Sequence, residues 1–107
     1  MKAQDAERLA EVLVQCPALA HLDLSGNYNF GSAGAGRLAG VLGQCRKLVH
    51  LNLSSNKIGA GGAERFAGVL AQCAALAHLN LSRNDIGTVG RKKLRGSWRG
   101  QASGLVL

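Results

Sequence analysis

Long apolar runs are missing from this sequence. No stretch approaches the ~20 apolar residues that a membrane-spanning helix needs. The opening MKAQDAERLAEVL goes straight into charged, helix-like sequence, without the uninterrupted apolar centre of a secretory signal. The expected location is therefore cytoplasmic. Aromatic residues make up only 4% of the chain, yet 47% of it is hydrophobic. That is too apolar for a disordered polypeptide and suits one soluble domain over residues 1–107. Acidic residues are scarce at one end. Residues 83–107 hold six cations (Arg83, Arg91, Lys92, Lys93, Arg95 and Arg99) against Asp85 alone, so most of the net charge of +7 resides there.

Motifs that carry chemistry are missing too. There is no GxSxG, no HExxH and no phosphate loop of the GxxxxGK[ST] kind. No nucleophile, base and oxyanion donors can be assembled from the residues present. No enzyme activity and no cofactor are expected. The three cysteines include no CxxC pair for zinc.

What is present is repetition. HLDLSGN (21–27), HLNLSSN (50–56) and HLNLSRN (78–84) are one phrase written three times, and Cys16, Cys45 and Cys73 keep the same interval. The extra residue of the first interval lies in NYNFG, which stands opposite the shorter NKIG and NDIG. Each unit joins two periodicities. In LVHLNL, Leu51 and Leu53 alternate with His50 and Asn52, as in a strand with one buried face. Phe66, Val69, Leu70 and Cys73 fall at i, i+3, i+4 and i+7, one stripe of a helix. Gly59, Gly61 and Gly62 punctuate the change, and GSAGAG (31–36) is expected to be the equivalent strand-to-helix turn. A unit this small buries both apolar faces only when stacked on copies of itself.

The phrases LAHLDLSGN (19–27), LVHLNLSSN (48–56) and LAHLNLSRN (76–84) fit LxxLxLxxN. The chain thereby resembles leucine-rich repeat proteins of the ribonuclease-inhibitor type, over about residues 6 to 99, and its repeats look like those of NOD-like receptors. The resemblance implies an α/β solenoid, with short parallel strands on a concave face and helices on a convex one. Repeats would span 19–47, 48–75 and 76–107, after a partial repeat helix in 1–18. The last repeat has a degenerate, basic end, where Ser97 and Gln101 replace Val69 and Cys73 of the helical stripe. Neither end has the polar character of a capping repeat. The expectation is a piece of a longer array or a truncated gene product, thinly covered beyond residue ~88 and able to self-associate through its ends.

Candidate site residues follow from this frame. The cysteines sit on the helical stripe and are expected to be small core residues. Asn27, Asn56 and Asn84 end each strand, where an amide side chain can both donate to and accept from stranded backbone groups. The resemblance makes them an asparagine ladder. His21, His50 and His78 should form an outward column at ~4.8 Å spacing. Asp23, Asn52 and Asn80 would stand beside it, followed by Ser25, Ser54 and Ser82. A collinear column does not surround a metal ion, so none is expected, and this polar face is the candidate surface for a protein partner. The basic run Arg91, Lys92, Lys93, Arg95 and Arg99 offers an alternative, attachment to nucleic acid or an anionic membrane. A third reading is a purely structural spacer.

Overall fold

The computed structural model of the chain describes residues 3–16, 18–27 and 30–107. Tyr28 and Asn29, where the longer first interval places its extra residue, lie outside the described residues.

Three strands, β1 (His21–Asp23), β2 (His50–Asn52) and β3 (His78–Asn80), lie side by side in parallel. Their register pairs His21 with His50 and His50 with His78, so the sequence interval is also the spatial interval. A fourth strand, β4 (Leu105–Val106), extends the sheet by pairing Leu105 with Leu79, and the strand order is β1-β2-β3-β4. Parallel neighbours need a crossover between them. The helices α2 (Gly31–Leu42), α3 (Gly59–Val69) and α4 (Gly87–Ser97) supply these crossovers, and α1 (Ala3–Leu13) packs against α2. The fold is a small α/β solenoid of stacked strand–helix repeats.

The core lies between the strands and the helices. Leu51, Leu53, Ile58 and Phe66 of the second repeat are fully buried, as are Leu79, Leu81 and Leu94 of the third. Each strand keeps its leucine inward while the flanking histidine stays exposed, as period-2 alternation requires.

Three expectations need correcting. First, the Gly-rich segment 31–36 is not a turn but the first half of α2. Only its leading glycine turns the chain: Gly31, Gly59 and Gly87 have φ of 66°, 70° and 79°, a region open to glycine at little cost. The glycines that follow allow close packing. A Cβ on Gly62 would fall on Ile58 and within 3.0 Å of the Ala35 Cβ, and one on Gly90 would fall on Ile86 and within 3.3 Å of the Ala63 Cβ. Second, Cys16 is exposed, whereas Cys45 is buried and Cys73 half-buried. Cys16 follows α1, at the edge of the stack, where no helix before α1 covers it among the described residues. Third, the cover expected of the third repeat from Leu94, Trp98 and the tail 105–107 is present but is not thin, because the tail joins the sheet as a strand. The backbone N–H of Leu81 donates to Val106 O at 2.7 Å, as that of Leu53 donates to Asn80 O at 2.8 Å. Regular structure therefore continues well past residue 88. Trp98 leaves the helix in an extended conformation, and its indole N–H donates to Gln101 O at 2.8 Å.

Candidate functional site on the strand face

The register places the candidate surface residues in columns. His21, His50 and His78 are all exposed, with ring centroids 5.7 Å and 5.3 Å apart and planes tilted by 37° and 38°. These separations exceed the ~4.8 Å strand spacing because the rings splay as they leave the sheet. Among the described residues no group of three or more His, Cys, Asp or Glu is placed to hold a metal ion.

The second column is tied to its own backbone. The Asp23 carboxylate accepts the Ser25 N–H at 2.9 Å, and Asn52 and Asn80 Oδ1 accept the Ser54 and Ser82 N–H groups at 3.0 Å each. Asn80 Oδ1 also takes the Ser82 hydroxyl at 2.7 Å. These i to i+2 bonds turn the chain at the end of each strand. The Ser25 hydroxyl and N–H hold the Asp23 carboxyl below its ordinary range, and the nearby His50 adds to the effect. The third column, Ser25, Ser54 and Ser82, follows directly from these turns.

Asn56 and Asn84 are buried beneath the turns, and Asn27 is half-buried. Asn56 Oδ1 accepts the Asn27 N–H at 2.9 Å, and its Nδ2 donates to Leu24 O, Leu53 O and Ser54 O. Asn84 repeats the arrangement one interval on: its Oδ1 accepts the N–H groups of Asn56 and Ile58, and its Nδ2 donates to Leu53 O, Leu81 O and Ser82 O. These bonds span a turn in which Ser55, Lys57, Arg83 and Asp85 adopt positive φ between 52° and 59°. That conformation costs an L residue roughly 1–2 kcal/mol. In both turns the asparagine amides satisfy the backbone groups left without strand partners.

The basic run lies on and just after α4. Arg91, Lys92, Lys93, Arg95 and Arg99 are all exposed. Lys93 donates to Glu64 on α3 at 2.9 Å, which lowers the Glu64 pKa, so one of the five cations is already paired. Arg91, Lys92 and Arg95 sit on α4 and Arg99 follows it, whereas the histidine columns sit on the strands. Arg83, which the sequence separates from the basic run, is brought near Arg91. Repeat alignment carries the signal for that pair, since Arg83 stands where Ser55 and Gly26 stand, and Arg91 where Ala63 and Ala35 stand. Among the described residues, no helix is long and apolar enough to cross a membrane.

A family model described as Leucine Rich repeat matches residues 44–67 and 72–94, which are two consecutive helix-to-helix intervals of the stack. No curated protein matches the chain.

Proposed function

We propose that this leucine-rich repeat protein is a non-enzymatic interaction module that binds another protein through the exposed face of its strands, the concave face of a curved solenoid. Leucine-rich repeats generally mediate protein–protein interaction. One observation carries the choice of face: the second column is already fixed by its bonds to Ser25, Ser54 and Ser82. A polar surface ordered before contact loses little conformational freedom on binding, which is where affinity is otherwise spent. The open imidazoles beside it add donors, acceptors and flat rings to the same surface. The intervals between paired histidines support the ribonuclease-inhibitor type and a likeness to NOD-like receptor repeats, and with that likeness a cytoplasmic setting.

Photo-cross-linking tests the choice of face. A photoreactive side chain replaces His50 in one variant, Arg65 on α3 in a second and Arg95 on α4 in a third. Partner adducts should concentrate at position 50, and their yield should change little with ionic strength. Adducts concentrated at position 95, with binding that weakens steeply as salt rises, would replace this reading with nucleic-acid or anionic-membrane attachment. Absence of adducts at all three positions would favour a structural spacer.

A further inference from the structure

The second column on the strand face changes character along the sheet. On β1 it is Asp23, whose carboxylate accepts the Ser25 N–H. On β2 and β3 it is an amide. Asn52 and Asn80 turn Oδ1 to the Ser54 and Ser82 N–H groups, and Asn80 Oδ1 takes the Ser82 hydroxyl as well. Among the described residues no acceptor meets Nδ2 of either amide. The column therefore reads acceptor, donor, donor.

Imidazoles stand beside these donors. His50 and Asn52 share one face of β2, as His78 and Asn80 share one face of β3. Each of the two strands thus offers an open amide and a ring N–H, and the ring gains a second N–H on protonation. A carboxylate, which only accepts, fits such a pair. Besides the histidines, Asp23 is the one titratable side chain on β1 to β4 and on the single turn Ala102–Gly104 that packs on β3. The loops entering and leaving β2 and β3 carry Arg46, Lys47, Lys57 and Arg83, all exposed, against Asp85. Their balance also favours an acidic partner.

Spacing selects the partner's backbone. The rings stand 5.7 Å and 5.3 Å apart. A helix laid across the strands advances ~5.4 Å per turn, so one side chain per turn meets each strand. An extended segment repeats every ~6.6 Å on one face and drifts by roughly 2 Å across the three strands.

We infer that the partner meets this face with a helix laid across the strands, bearing carboxylates on two successive turns over His50–Asn52 and His78–Asn80 and a cation on the adjoining turn over Asp23. The inference rests on the strand-face reading and adds the partner's chemistry to it. A bound carboxylate favours the charged imidazole, so the complex takes up protons and tightens as pH falls from about 8 toward 6.

The test uses the full 107-residue chain, ¹⁵N-labelled, and a blocked alanine-rich helical peptide of about 20 residues. The peptide carries a lysine and, four and seven residues later, two glutamates. A glutamine twin lacks both carboxylates, and a shifted twin moves the second glutamate two residues on, off the shared face. The parent peptide should shift the side-chain amide signals of Asn52 and Asn80. It should bind roughly tenfold more tightly than the glutamine twin, with the shifted twin between them, and more tightly still at lower pH. His50→Gln and His78→Gln should each weaken binding several-fold and flatten its pH dependence. Both rings are exposed, so the core does not need them. Equal affinity for the parent peptide and either twin would overturn the inference. So would binding that ignores pH, or the absence of shifts at Asn52 and Asn80. Partner adducts at position 50 would then leave the strand-face reading standing, whereas adducts concentrated at position 95 would remove that reading itself.

Discussion

Asn84 Oδ1 accepts the backbone N–H of Asn56 at 2.7 Å, across an interval of 28 residues. The bond links two repeats through a side chain that is itself 2% exposed, and Asn56 in turn links back to Asn27. Asn56 and Asn84 therefore each satisfy their own turn and the one before it. Asn56→Ala should remove an acceptor and three donor contacts from a site with no solvent to replace them. The expected loss is about 1–3 kcal/mol in denaturant unfolding. A change of a few tenths would show that the amide contributes nothing beyond filling space.

Glycines on the helices should respond in opposite directions. Gly90→Ala adds a Cβ that falls on Ile86 and crowds Ala63. Overpacking typically costs 1–3 kcal/mol, roughly, which outweighs the gain of about 1 kcal/mol from replacing glycine in a helix. Gly96→Ala, also on α4, meets nothing within 4 Å, so the propensity gain stands alone. Thermal unfolding should rank Gly96→Ala above the parent and Gly90→Ala below it.

The strands were legible in the sequence because two signals coincide there. The repeated phrase sets the register, and the alternation of His50, Leu51 and Asn52 sets the face. The helix starts were obscured, because glycine marks both a turn and a close approach. At Gly31 it does the first, and at Gly62 the second. The β4 strand escaped because Leu105 pairs with Leu79 two residues ahead of the 28-residue interval.

Thiol reactivity should divide the cysteines. Burial raises the pKa of Cys45 and Cys73, while Cys16 is exposed. Since the thiolate is the reacting form, Cys16 should be labelled rapidly in the native protein and the other two slowly. Denaturant should make all three fast. Under native conditions, raising the pH should accelerate labelling of Cys45 and Cys73 over a more alkaline range than an unperturbed thiol requires. Three equal native rates would contradict the packing of these helices.

Acid stability should depend on Asp23. Its bonds to Ser25 lower its pKa from the ordinary 3.8. A carboxylate depressed in the folded state contributes stability above its unfolded pKa and loses it as pH falls through the folded one. Asp23→Asn keeps the turn, as Asn52 and Asn80 do, but removes the titration. The variant should therefore lose less stability than the parent as pH is lowered below 3.8. Unfolding midpoints at neutral and acid pH measure the difference. Some loss should remain in the variant, because Lys93 lowers Glu64 in the same sense.

The proposed strand face requires β1 to β4 to form one continuous parallel sheet. Three leucine amides report on it directly: Leu24 donates to Asn52 O, Leu53 to Asn80 O and Leu81 to Val106 O, at 2.8, 2.8 and 2.7 Å. Native-state hydrogen exchange followed residue by residue should find all three protected, with Leu81 within about tenfold of Leu53. A Leu81 amide that exchanges like an unprotected one, while Leu53 stays slow, would contradict the account, because the third repeat would then lack the strand that completes it.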